Sequence, residues 1–141
     1  MDRFLEANSV LTIFSKRFLD LKKGLPVRPS EMGILNILIQ TPGPHTSVML
    51  AELMGVSKPM ITALLTSLGE KGYVVKEQST DDKRTYHIIP TDKAISLVEH
   101  AQKNMDGHLN RLMETMGPSD FDALIRLAKK AGEVLRTEQE E

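Results

Sequence analysis

Between Ser47 and Val74 the chain has little conformational choice. Two apolar stripes at helical spacing are separated by only three residues, Gly55-Val56-Ser57. Leu50, Leu53 and Met54 form the first stripe. Ile61, Leu64, Leu65 and Leu68 form the second, at i, i+3, i+4 and i+7. Glycine tolerates the left-handed conformation that closes a helix, so Gly55 is expected to end the first helix, with Val56 as a buried corner. Ser57 suits the N-cap of the next helix, and Pro59 in the first turn needs no donor. Gly72 closes the second helix, with Tyr73 placed to pack back on Leu68.

Ala51, Gly55, Ile61 and Leu64 occupy the small, turn and buried positions of a helix-turn-helix, in which the second helix enters the major groove of DNA. A plain corner of two helices shares the apolar stripes but does not require all these offsets at once. The other face of the second helix carries Lys58, Thr62, Ala63, Thr66 and Ser67, mostly short side chains. Thr62 and Thr66 can bond base edges or meet thymine methyls, and Lys58 can reach a phosphate or a guanine. Two short strands are expected next, over 74–78 and 85–89. Between them lies the polar tip Ser79, Thr80, Asp81, Asp82, Lys83, Arg84. A helix-turn-helix followed at once by such a hairpin is a winged helix.

The stretch MLAELMGVSKPMITALLTSLGEKGYV followed by DDKRTYHIIPTDKA resembles the MarR family of bacterial transcription regulators. The second piece is similar to the family's wing signature, in which Asp-x-Arg precedes a strand and then a threonine; here these are Asp82, Arg84 and Thr91. The resemblance implies a mainly α fold with a small β-wing: a winged helix-turn-helix over 30–90 within one domain of 1–141. Helices over 1–22 and 91–138 would then join two subunits. It implies a dimeric repressor of double-stranded DNA, acting on a palindromic operator and released by a small aromatic or phenolic ligand. The DNA-binding residues it points to are Ser57, Lys58, Pro59, Thr62, Ala63, Thr66, Asp82, Lys83 and Arg84. The ligand would lie between the helical dimer region and the winged helix, against Phe14 and Phe18. Family members commonly carry arginines around the positions of Ala63 and Ser67, and this chain does not.

The flanking segments carry seams. Phe4, Ala7, Leu11, Phe14, Phe18 and Leu21 step by 3, 4, 3, 4, 3 along a helix expected over 2–22. Ala94, Val98, Ala101, Met105, His108 and Leu112 step by 4, 3, 4, 3, 4 along a helix that Thr91 caps and that runs to about Met116. Three of the four phenylalanines lie in the first helix, so it holds most of the aromatic mass. A monomer leaving that seam bare would expose a large apolar patch, which soluble proteins avoid, so a homodimer is expected. Residues 31–40 read as a buried helix with Ser30 as N-cap and Glu31 favouring its first turn; Pro42, Gly43 and Pro44 stop it. His45 is expected to be solvated in the loop beyond. Ser119-x-x-Asp122 reads as a capping box for a last helix lined by Phe121, Leu124, Ile125, Ala128 and Leu135, and the acidic tail TEQEE is expected to fray.

Composition removes several classes of function. There is no cysteine among the 141 residues, hence no disulfide framework, no Cys-based metal site and no thiol peroxide sensor. No apolar run is long enough to span a bilayer and no signal-peptide pattern opens the chain, so a cytoplasmic protein without membrane association is expected. No Gly-rich phosphate loop or HExxH is present, and no cofactor is expected. His100 and His108 lie eight residues apart on one helix, about 12 Å at ~1.5 Å per residue, too far to share a metal ion. Asp81 and Asp82 sit at a wing tip, the wrong place for a desolvated acid, so no enzyme is expected. The net charge is −1, unhelpful for a DNA binder. Over 46–90, Lys58, Lys71, Lys76, Lys83 and Arg84 are balanced by Glu52, Glu70, Glu77, Asp81 and Asp82. This balance keeps open a second reading, a winged-helix module that binds protein without specific DNA binding.

Overall fold

In the computed structural model, which describes residues 2–140, helices flank a central winged helix. The order is α1 (Arg3–Asp20), α2 (Pro29–Gln40), α3 (Ser47–Met54), α4 (Lys58–Glu70), β1 (Val74–Gln78), β2 (Tyr86–Pro90), α5 (Asp92–Met116) and α6 (Pro118–Glu140). The chain forms two compact units that meet within α5, one ending at Gln102 and the other starting at Lys103. The expected mainly α fold with a β-wing is the fold observed.

The core belongs to the first unit and is built on α2 and α4. Ile34 and Leu35 of α2, Leu50 of α3, and Ile61 and Leu68 of α4 are almost wholly removed from water. Val74 and Ile88 close the core from the wing, and Ala94 and Val98 from the start of α5. The direction of the chain bends by 112° between α3 and α4. Gly55 makes that bend at φ 67°, and Val56 N–H reaches back to the Ala51 carbonyl at 3.0 Å. The same closure recurs at the end of α4, where Gly72 has φ 83° and Tyr73 N–H bonds the Leu68 carbonyl at 2.9 Å. Tyr73 is buried there, as its spacing from Leu68 predicts.

β1 and β2 pair antiparallel, Val74 with Pro90 through Gln78 with Tyr86, one residue later on the second strand than the sequence pattern predicts. The Thr91 hydroxyl donates to the Gly72 carbonyl at 2.8 Å and accepts from Ala94 N–H at 3.3 Å. One threonine therefore both caps α5 and ties it to the end of α4.

Several local expectations are corrected. Helix α2 begins at Pro29, with Arg28 rather than Ser30 at the N-cap, because the Glu31 carboxylate turns back to accept Arg28 N–H at 2.8 Å. Leu53 does not join Leu50 in the core but is exposed, and Val56 is only half-buried. Helix α6 starts at Pro118, which puts Ser119 inside its first turn rather than at its cap; Gly117, at φ 98°, makes the break. The helix continues to Glu140, through most of the acidic tail, and Glu141 lies outside the described residues.

His45 is the largest departure. It is buried, with Nε2 at 2.8 Å from the Thr41 hydroxyl, which itself donates to the Ile37 carbonyl. The His45 carbonyl accepts Ile88 N–H at 2.9 Å. The loop residue is thus a bracket between the end of α2 and the outer edge of β2, which explains why it is held away from water.

Helix α1 has no buried residue, and Phe4, Leu11 and Phe14 of its seam are exposed. In the second unit no described residue is buried, and Ile125, Leu127, Val134 and Leu135 of α6 are exposed. Among the described residues no single helix is long and apolar enough to cross a membrane.

Candidate nucleic-acid interface

Helix α4 presents Lys58, Pro59, Thr62, Ala63 and Thr66 to solvent while Ile61, Leu64, Leu65 and Leu68 fix its opposite face in the core. The Ser57 hydroxyl caps it, accepting Met60 N–H at 3.3 Å. The Thr62 hydroxyl donates to the Lys58 carbonyl at 3.0 Å, leaving its oxygen lone pairs outward. The exposed face is therefore short, polar and rigidly backed.

The wing tip is wound around two side chains. The Ser79 hydroxyl accepts N–H from Asp81 and Asp82, at 3.2 and 3.4 Å, and Ser79 N–H bonds the Thr85 carbonyl. Asp82 Oδ1 then accepts both Arg84 N–H, at 3.0 Å, and Arg84 Nε, at 3.2 Å. The Arg84 N–H, and after it the guanidinium, hold the Asp82 carboxyl below its ordinary pKa. Arg84 nonetheless remains 91% exposed. Its guanidinium is aimed but not consumed. Lys83 beside it is exposed, and its carbonyl is held by the Gln78 amide at 2.7 Å.

A groove of about 310 Å³ joins these two pieces. Thr62 of α4 lines one wall and Arg84 of the wing another, with Ser47 and Val48 at the start of α3 and Lys76 and Tyr86 on the strands. Of the residues expected to touch DNA, Thr62 and Arg84 are thus brought to one concave surface. Lys58 and Pro59 lie in the first turn of α4, and Ala63 and Thr66 elsewhere on its exposed face. Phe14 and Phe18 lie apart from it on α1, stacked on each other at 6.2 Å, with the Lys22 ammonium 5.2 Å from the Phe18 ring.

Sequence reasoning missed the group that holds the far end of α4. Glu31 is fully buried, and Lys71 Nζ meets its two carboxylate oxygens at 2.9 and 3.2 Å. Burial by itself would raise its pKa. The Arg28 N–H, Lys71, Ser67 and the Arg28 side chain outweigh burial and bring it down to about 2. Of the cations counted over 46–90, Lys71 is therefore spent inside the fold. The Arg28-x-x-Glu31 spacing before an apolar run was the available signal.

The family model that matches this sequence is that of the MarR family, over residues 28–86. Over that stretch its winged helix is similar to the MarR family. A relative, the uncharacterized HTH-type transcriptional regulator YkoM of Bacillus subtilis (strain 168), is 28% identical over 104 residues, covering 74% of this chain and 67% of YkoM. The transcriptional repressor CouR, solved on a 23-mer DNA duplex, superposes with a TM-score of 0.74 at 25% identity, covering 94% of this chain and 92% of CouR. Streptococcus pneumoniae FabT, solved in complex with DNA, superposes with a TM-score of 0.83 at 16% identity, over 95% of this chain and 98% of FabT. Along nearly its whole length the chain thus shares its fold with CouR and FabT.

Proposed function

We propose that this chain is a homodimeric repressor that binds a palindromic operator in double-stranded DNA and is released by a small aromatic or phenolic ligand. The single observation carrying the DNA reading is the exposed Arg84 guanidinium, aimed by Asp82 from a wing that shares a groove with Thr62 of α4. In this reading α4 enters the major groove, with Ser57, Lys58 and Pro59 at its leading end and Thr62, Ala63 and Thr66 facing base edges. Arg84 enters the adjacent minor groove, whose narrow A·T-rich form attracts a guanidinium, and Lys83 meets a phosphate. CouR and FabT, solved with DNA, support the reading by likeness.

Dimerisation is supported by the bare seam of α1 and the exposed apolar residues of α6. Two winged helices related by a two-fold axis would meet half-sites about one helical turn apart. In this arrangement 1–141 acts as one domain, with 1–22 and 91–138 joining the subunits. The stacked Phe14 and Phe18 are the proposed wall for the ligand, and thermal-shift screening with aromatic acids tests it. A flat response across a broad panel would remove ligand release from the proposal.

The decisive experiment is a mobility shift with the DNA flanking the chain's own gene, at low and moderate salt. With few free cations on the winged helix, the slope of log K against log salt is expected to be shallow. Ten or more phosphate contacts would give a slope of about −9. The balanced charge over 46–90 favours a second reading, a protein-binding winged helix. Failure to shift any flanking duplex at low salt would select it.

A further inference from the structure

The groove between α4 and the wing has a charge character that the winged helix as a whole lacks. Of the five acids over 46–90, none lines it, whereas Lys76 and Arg84 both do. Among the described residues Lys76 has no carboxylate within ion-pair distance. Strand register explains its direction: Lys76 pairs with Ile88 and Gln78 with Tyr86, so Lys76 and Tyr86 share the strand face that carries buried Ile88 toward the core. Tyr86 is half-exposed there, although an aromatic on that face of the sheet had the option of full burial.

The opposite wall is the start of α3. The Thr46 hydroxyl accepts Met49 N–H, so the first-turn N–H groups of Ser47 and Val48 remain without intrahelical acceptors. They carry the positive end of the helix dipole to the same groove that holds Lys76. Ammonium, phenol and helix N-terminus thus surround one concave, acid-free space.

We propose that this groove cradles one backbone phosphate of duplex DNA, bound by Lys76 and Tyr86 together with the first turn of α3. The inference rests on the DNA-binding reading above. If α4 lies in the major groove and Arg84 in the neighbouring minor groove, the sugar-phosphate strand that separates those grooves has to pass between Thr62 and Arg84. The lined space lies between those two residues. The winged helix can therefore be near neutral overall and still hold the strand, because its cation sits where the strand crosses.

Fluorescence anisotropy with two labelled duplexes tests this, one from the flanking intergenic DNA and one of scrambled sequence, over a range of chloride concentrations. Lys76→Met is expected to weaken both duplexes by a similar several-fold factor and to lower the salt slope by about 0.9. Tyr86→Phe is expected to weaken both by a smaller factor without changing the slope, since a phenol releases no counterion. Thermal unfolding checks that both variants fold as the wild type. If Lys76→Met binds as the wild type while Arg84→Ala still weakens binding, the cradle is wrong and the DNA reading stands. If the wild type binds neither duplex, both fall. Inorganic phosphate, added at matched ionic strength, distinguishes the remaining source of the same chemistry. If phosphate raises the unfolding temperature of the wild type but not of Lys76→Met, while Lys76→Met binds both duplexes as the wild type does, this is a free-anion site and the assignment to DNA is overturned.

Discussion

Replacing Lys71 with methionine should loosen the C-terminal end of α4 more than any comparable surface substitution. The wild-type geometry sets the magnitude. Glu31 is wholly buried, and both of its carboxylate oxygens are within 3.2 Å of the Lys71 ammonium. Its pKa falls from 4.5 to about 2 on folding. At 1.36 kcal/mol per tenfold change in proton affinity, that depression corresponds to about 3 kcal/mol of pH-linked stability. Because the folded value is the lower one, the stability is complete above pH 4.5 and is lost as the pH falls toward about 2. Lys71 itself is 37% exposed, so solvent screens part of its attraction. It also shares the carboxylate with Arg28 N–H and Ser67. We therefore expect Lys71→Met to cost about 2 kcal/mol at pH 7, below the 3–5 kcal/mol of a fully buried pair broken on one side.

The assay is urea unfolding followed by circular dichroism between pH 7 and pH 2.5, at fixed protomer concentration because the proposed dimerisation would add to apparent stability. Glu31→Gln isolates the titration: its acid-linked decline between pH 4.5 and 2.5 should be smaller than that of the wild type. In Lys71→Met one of the groups that offset the burial of Glu31 is lost, so its pKa rises and the acid-linked decline shrinks. A cost below about 0.5 kcal/mol for Lys71→Met, within the ordinary range for surface changes, would refute the reasoning. So would parallel pH profiles for the wild type and Glu31→Gln, because Asp20 and Asp82, whose pKa values are also depressed, are present in both.

Other expected outcomes follow from the same contacts. Arg84→Ala should leave unfolding and oligomeric state unchanged yet weaken operator binding by about 1–3 kcal/mol, and unchanged affinity at fixed salt would remove the wing from the interface. Lys83→Ala should cost less and lower the salt slope by about one if it meets a phosphate. Removing residues 1–21 should give aggregation or loss of fold, and a soluble, folded monomer by sedimentation would show that the α1 seam needs no partner. Thr91→Val removes both the cap of α5 and its tie to the Gly72 carbonyl, so it should lower stability by about 1 kcal/mol in the same urea assay.

The parts of the fold legible in the sequence are those where one residue type answers one local demand. Gly55 and Gly72 close helices because their positions need positive φ, and Ser57 and Thr91 cap because their hydroxyls meet first-turn N–H groups. The apolar period of α4 sorts its core face from its exposed face without reference to any distant residue. Where the partner lies far along the chain, the pattern is silent. Glu31 and Lys71 are forty residues apart, and although Arg28 three residues earlier signals Glu31, nothing along the chain marks Lys71 as its partner. His45 looks like a solvated loop histidine until Ile88 and Thr41 arrive from two other elements. Leu53 fits the α3 stripe by spacing, yet the core face of an eight-residue helix is filled by Leu50, which leaves Leu53 outside.

The same distinction governs the site. Asp82 and Arg84 are two residues apart, so their pairing could be read before the fold was known, and the wing bears it out at 3.2 Å. Net charge, by contrast, is a sum over residues that the fold then separates. The count over 46–90 comes to zero, an argument against DNA when taken along the chain. In three dimensions Lys71 is withdrawn to neutralise Glu31. Asp82 is turned onto Arg84, and none of the remaining acids lines the groove that Lys76 and Arg84 line. A duplex meets the local field within about a Debye length, roughly 8–10 Å at physiological salt, and not the sum. The carboxylates that would weaken that field most are ones lining the groove, and among the described residues none does.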